Sequence, residues 1–127
     1  MKLFANVMVG IVALLHFGFL VLEMFLWNHP IGHRTFGMTP DVAASSAVLA
    51  SNQGLYNGFL AVGLLWGLIA RRNDVTLFVL GCVVIAGIYG GLTAKVSIIF
   101  LQALPAMIAF ALVYLSGRSI TLITESK

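Results

Sequence analysis

Residues 14–27 read LLHFGFLVLEMFLW, an almost wholly apolar run that nevertheless carries a histidine, His16, and a carboxylate, Glu23. Seven helical residues at about 100° each amount to about two full turns. The two side chains therefore fall nearly above one another on one stripe, with Trp27 a further turn along the same face. An ionisable group inside a membrane-length apolar run costs roughly 2.5–3.5 kcal/mol on insertion scales. The rest of the chain must offset that cost with partners for Glu23.

The surrounding composition sets the solvent. Of 127 residues, 61% are hydrophobic and 9% charged, against about 25% charged in soluble domains. The mean hydropathy is +1.06. Such a chain cannot cover itself with polar surface, so an integral membrane protein of one domain, residues 1–127, is expected, with the lipid bilayer as its first partner. The net charge of +3 comes from scattered basic residues. They form no patch with interleaved aromatics, which argues against nucleic-acid binding. A single cysteine, Cys82, excludes an intrachain disulfide and reads as a small buried hydrophobe. The first 27 residues outrun the apolar core of a signal peptide, about 7–15 residues, and no small-residue cleavage site follows, so they are expected to stay as a helix.

Working outward from residues 14–27, four apolar runs are long enough to span. They predict an all-α, four-transmembrane-helix bundle with helices at about 3–27, 47–70, 75–94 and 98–115. Pro30 should end the first helix, since the residue before a proline is pushed out of the helical region. Residues 31–40 are expected to be a polar connection. Thr39-Pro40-Asp41 looks like a helix start, so residues 41–46 read as an interfacial extension of the second helix. Three glycine pairs, Gly54 and Gly58, Gly63 and Gly67, and Gly87 and Gly91, have the spacing that lets helices approach closely in lipid. They serve either packing inside the bundle or association of copies, and a homo-oligomer through glycine-rich faces is expected. Arg71-Arg72-Asn73-Asp74 reads as a tight charged turn, and Pro105 as a kink in the fourth helix. The tail from Ser116 on is polar. Lys2, Arg71, Arg72, Arg118 and Lys127 would share one side, Arg34 and Lys95 the other. This bias predicts that both termini are cytoplasmic.

That threading collects polar side chains in the extracytoplasmic half. Glu23 lies near the outer end of the first helix with His16 below it; Asn52, Gln53 and Asn57 come from the second; Tyr89, Thr93 and Lys95 from the third; Gln102 from the fourth. Together with Trp27 these form an expected ligand-binding pocket, with Glu23 as charged anchor and His16 as floor. Lys95 or the amides of Gln53, Asn57 and Gln102 are the natural partners of Glu23. Buried Asn, Gln, Thr and Tyr also serve simply to tie helices together, and a lone histidine on an apolar face is often a core residue.

No metal or cofactor is expected. His29 and His33 are four apart, but Pro30 and Gly32 between them spoil a helical ligand pair. His16 and Glu23 are separated by roughly 10 Å of helix rise, too far for one ion holding each at about 2 Å. The chain has no Cys-His cluster, no phosphate-cradling glycine loop followed by Lys-Ser/Thr, and no defensible Ser-His-Asp arrangement.

The segments LEMFLW (22–27), SNQGLYNGFLAVGL (51–64), GCVVIAGIYGGLT (81–93) and FLQALPA (100–106) resemble a family of small bacterial integral membrane proteins, domain of unknown function 1304. The likeness extends over nearly the whole chain, and NQGLYNGF is its most specific part. It implies four transmembrane helices in a bacterial inner membrane and no particular activity. The similar segments hold Glu23, Asn52, Gln53, Asn57, Tyr89 and Gln102, whereas His16 and Lys95 rest on the depth argument alone.

Three readings remain open from the residues. In the first, the pocket binds or transports a small polar or cationic solute or protons, with His16 as inner proton relay. In the second, the chain is a structural or accessory subunit whose polar cluster is a hydrogen-bonded core. In the third, it is a membrane-embedded enzyme on a lipophilic substrate, with Glu23 as general base and Tyr89 as proton donor. Catalysis has the least support, because no catalytic motif accompanies these residues.

Overall fold

The computed structural model describes the backbone of residues 1–125 and side chains through Gly117. Of the residues used to judge sidedness, the Arg118 side chain and Lys127 lie outside the described set, as does most of the polar tail. The described chain is helical, without strands: α1 Lys2–Met24, α2 Pro30–Phe36, α3 Pro40–Ile69, α4 Asn73–Thr93, a π-helical turn Ile99–Ala103, and α5 Leu104–Glu125.

Three stretches are long and apolar enough to cross a membrane: Lys2–Met24, Asn73–Thr93 and Ile99–Gly117. The expected number was four. The 30-residue α3 is long enough, but Ser45, Ser46, Ser51, Asn52, Gln53 and Asn57 dilute its apolar character. The membrane reading draws further support from the surface. Phe4, Leu14, Val48, Ile69, Phe78, Ile85 and Leu92 are each at least 70% exposed, more large apolar area than a water-soluble monomer tolerates.

Helix boundaries depart from the sequence expectation where local hydrogen bonding intervenes. α1 stops at Met24 instead of reaching Trp27. The amides of Phe25 and Leu26 both donate to the Val21 carbonyl, each at 3.1 Å, which widens the final turn and releases the chain. Pro30 does not close α1; it opens α2. It occupies the first turn, where a missing N–H costs nothing, and His29 caps the helix, its Nδ1 accepting from the Ile31 amide at 3.3 Å. Gly37, at φ +68°, ends α2 in the left-handed conformation. The connection expected at 31–40 is thus largely a short helix. α3 starts where the Thr-Pro-Asp pattern places it, with the Thr39 hydroxyl accepting from the Val42 amide at 3.4 Å.

Pro105 was read as a kink, and the structure sets a π turn immediately ahead of it. A proline ring clashes with the carbonyl four residues back, here that of Leu101. A turn with i→i−5 bonding, closed by the Leu104 amide on the Ile99 carbonyl, moves that carbonyl aside.

The chain divides into two compact units. One contains Met1–Ala13 and Val62–Lys127, the other Leu14–Ala61. In the first, α4 packs on the π turn and α5. Ala103, Ala106, Ala109 and Val113 are buried along one stripe, and small residues of this kind permit close helix approach. A Cβ on Gly87 would lie 2.8 Å from the Ala103 amide nitrogen and 2.9 Å from its Cβ, so only glycine lets α4 and the π turn meet backbone to backbone. Gly63 faces Val79, Gly67 faces Thr76 and Gly91 faces Ile99. In the second unit Gly54 faces Met24 and Glu23, and Gly58 faces Leu20. All three glycine pairs therefore meet neighbours within the chain itself.

Candidate functional site

Glu23 is the next-to-last residue of α1 and Asn57 lies on α3, both in the unit of residues 14–61. What brings them together is Gly54, one turn before Asn57. A Cβ there would stand 3.1 Å from the Glu23 Cβ and 2.6 Å from the Met24 Cγ. With only hydrogen in that place the two helices close up, and Asn57 Nδ2 donates to Glu23 Oε2 at 2.7 Å. The same Nδ2 donates to the Gln53 carbonyl at 3.2 Å, which holds the amide with its nitrogen toward the carboxylate. A bond this short to an ionised acceptor is about twice as strong as a neutral one.

Glu23 and Asn57 are both half-buried. Among the described residues Asn57 is the one hydrogen-bond donor to the carboxylate, so Oε1 and most of the acceptor capacity stay open. An ionised carboxylate offers about four lone-pair positions. The arrangement can thus accept a proton, a cation or a further donor without breaking the bond to Asn57.

The other expected site residues distribute unevenly. His16, two turns back on α1, is 1% exposed and meets the Phe19 ring edge to face, centroids 5.6 Å apart at 79°. Gln53 enters through its backbone carbonyl, while its side chain and that of Asn52 are exposed. Trp27 is not on the Glu23 stripe, because α1 has already ended. Its indole N–H donates to the Ala43 carbonyl and the Ser46 hydroxyl, each at 3.1 Å, and its ring leans on Phe36 with centroids 4.7 Å apart. Gly32 makes room for this corner: a Cβ there would collide with the carbonyls of Leu26 and Trp27.

Tyr89, Thr93, Lys95 and Gln102 belong to the other unit. The Thr93 hydroxyl donates back to the Tyr89 carbonyl at 2.8 Å. Tyr89 is 69% exposed and Lys95 is exposed beyond the end of α4. Gln102, in the π turn, reaches the Val83 carbonyl at 3.4 Å. Of the ten expected residues, the structure joins Glu23 and Asn57 directly and adds Gln53 through its backbone.

Sequence reasoning passed over a second feature. Within the unit of residues 1–13 and 62–127, a cavity of about 340 Å³ is lined by Lys2, Ala5, Asn6, Gly67, Leu68, Arg71, Asn73, Thr76, Val113 and Ser116. Its lower wall is buried (Ala5, Gly67, Thr76, Val113, Ser116) and its rim exposed (Lys2, Asn6, Arg71, Asn73). Beside it Arg72 grips Asp74 through two of its guanidinium nitrogens, Nε at 2.9 Å and Nη2 at 2.7 Å. Hydrogen bonding to Asp74, then its charge, holds the Arg72 guanidinium above its ordinary pKa. In the sequence Lys2 served as a marker of sidedness, and Arg71 as that and as part of a tight charged turn. The overlooked signal was a three-residue link between two helices with no glycine to take the left-handed position such a link requires.

Comparison with known proteins places these residues in a wider set. Residues 10–114 match the family described as "Protein of unknown function (DUF1304)". The uncharacterised protein YpaA of Lactococcus lactis subsp. lactis (strain IL1403) is 30% identical over 103 residues, which cover 78% of this chain and 87% of that protein. No solved structure matches the chain. The matched stretch takes in Glu23, Asn57 and the glycines that seat them, and this all-helical chain, with helices long and apolar enough to cross a membrane, belongs to the DUF1304 family.

Proposed function

We propose that this protein is a multi-pass protein of a bacterial cell membrane that binds a small polar or cationic solute, or protons, at Glu23 and moves it across the outer half of the bilayer. The observation that carries the reading is the 2.7 Å bond from Asn57 to a half-buried carboxylate whose second oxygen has no donor among the described residues. Asn57 orients the acid and the open oxygen is the acceptor for the incoming group. His16, two turns deeper on α1, receives the proton next. Asn52 and Gln53, on the same unit, form the rim of the site in this proposal.

The proposal threads α3 as a fourth span. Thirty residues rise about 45 Å, against a hydrocarbon core of about 30 Å, so the first two turns of α3 stand in the headgroup region. Trp27, with its indole nitrogen paired to Ala43 and Ser46, suits that level. The bias of Lys2, Arg71, Arg72, Arg118 and Lys127 against Arg34 and Lys95 sets both termini in the cytoplasm.

Proteoliposomes with a pH-sensitive dye inside provide the test, with protons as the probe. The wild type is expected to pass protons under an imposed gradient and Glu23→Gln to abolish that flux. Equal flux in both would remove Glu23 from the function. A structural role is favoured by one observation, the seating of Glu23 directly against Gly54. It predicts that Glu23→Gln lowers stability while neither protein conducts.

A further inference from the structure

The cavity at the α3–α4 turn has a composition that the Glu23 reading does not use. Its lining brings together two cations, Lys2 and Arg71, and two side-chain amides, Asn6 and Asn73, with no carboxylate in the wall. The nearest acid in sequence, Asp74, is occupied by Arg72 in a two-point ion pair. Among the described residues, then, Lys2 and Arg71 carry uncompensated charge. The Thr76 and Ser116 hydroxyls spend their protons on the carbonyls of Arg72 and Leu112, at 3.1 and 2.7 Å. The donors left for a ligand are the two cations and the two amides.

The backbone supplies an independent sign that Arg71 is retained for its side chain. The Arg72 amide bonds the Gly67 carbonyl at 2.9 Å and the Arg71 amide bonds the Leu68 carbonyl at 3.3 Å. This is the paired closure of a Schellman motif, whose left-handed residue is usually glycine. Here it is Arg71, at φ +55°, the single non-glycine residue with positive φ among those described. A side chain held in a backbone conformation that favours glycine points to a function for that side chain. Gly67, meanwhile, lets Thr76 come close enough to form the buried wall.

We propose that this cavity binds a phosphate group, presented either by the headgroup of an anionic phospholipid or by a soluble phosphate compound. Arg71 supplies a planar fork that matches two phosphate oxygens, Lys2 a second charge, and Asn6 and Asn73 neutral donors. A volume of about 340 Å³ falls within the range of small-ligand pockets. Basic recesses at the ends of membrane helices are suited to lipid phosphates.

The test uses the full chain in a neutral detergent at ionic strength matched with chloride. Thermal unfolding is followed with inorganic phosphate in one arm and with micelles doped with phosphatidylglycerol or phosphatidylcholine in the other. Wild-type protein is expected to be stabilised by inorganic phosphate, by phosphatidylglycerol, or by both, and not by phosphatidylcholine. A response to inorganic phosphate alone identifies a soluble ligand, and a response to phosphatidylglycerol alone a headgroup. Arg71→Gly should weaken the response at least tenfold while unfolding at or above the wild-type temperature without ligand, because glycine fits the left-handed position better. Lys2→Gln should weaken it as well. No response of the wild type to either probe overturns the proposal, as does an Arg71→Gly protein that responds like the wild type. Failure here leaves the Glu23 reading untouched, since proton flux through Glu23→Gln is measured separately.

Discussion

A single methyl group added at different glycines should have effects of opposite sign, and the structure ranks them. At Gly87 a Cβ would press on the Ala103 backbone, with its nitrogen at 2.8 Å and Cα at 3.0 Å. No rotamer can relieve that contact, so α4 and the π turn must separate. Overpacking of this kind costs about 3 kcal/mol at the upper end of its usual range, and alanine returns about 1 kcal/mol of helix propensity. Gly87→Ala is therefore expected to lose about 2 kcal/mol. At Gly58 the obstacle is the tip of Leu20, its Cδ1 at 2.5 Å. That methyl can swing away at a cost of about 1 kcal/mol, which the gain in propensity cancels. Gly58→Ala should be near neutral. At Gly10 and Gly18 no atom stands within 4 Å, so alanine should stabilise α1 by up to about 1 kcal/mol. Reversible unfolding in mixed micelles, titrated with a denaturing detergent and followed by helical circular dichroism, measures all four. A Gly87→Ala protein as stable as Gly58→Ala would refute the backbone contact between α4 and the π turn as the limiting one. A loss at Gly18 that grows with protein concentration would place a second copy against that face, the association expected from the sequence but on a different surface.

Three further outcomes follow from the same geometry. A double-mutant cycle of Glu23→Leu with Asn57→Leu should give a coupling of about 1.5–3 kcal/mol, the range for hydrogen bonds to charged groups; additivity would mean the pair does not interact. Trp27→Phe should lower stability by about 1–2 kcal/mol, since it strips the donor from Ala43 and Ser46. Ser46→Ala should cost less, because the Ala43 carbonyl still accepts the indole, and equal losses would contradict the shared bond. Asp74→Asn should leave the unfolding temperature unchanged within error, because the Arg72 pair is exposed on both sides; a clear drop would mean the pair braces the α3–α4 turn.

Much of the fold was legible because apolar run length carries it. The runs now seen as α1, α4 and the π turn with α5 were each visible as an uninterrupted apolar stretch, and hydrophobic content needs no partner to be read. The start of α3 was equally plain, since Thr39-Pro40-Asp41 acts through local capping. The end of α1 was not. Its position depends on the Val21 carbonyl taking two amides and on the Trp27 indole finding Ala43 and Ser46, residues 16 and 19 positions later. Pro30 carried two local meanings, stop and start, and only the His29 cap settled which one applied.

For the candidate site, residue type alone marked Glu23, since an acid in an apolar helix is expensive wherever it points. Its partner could only be narrowed to a cation or three amides. The choice of Asn57 was made by Gly54, whose missing side chain sets the helix separation at that level. Likewise the charges of Lys2 and Arg71 could be counted in the sequence, but not their placement around one cavity. Composition and run length therefore determined the helical class, the helices long and apolar enough to cross a membrane and the unusual acid, because these are properties of single segments. The acid's partner, the corner at Trp27 and the basic recess were decided by the tertiary structure, because each depends on how closely two segments distant in sequence can approach.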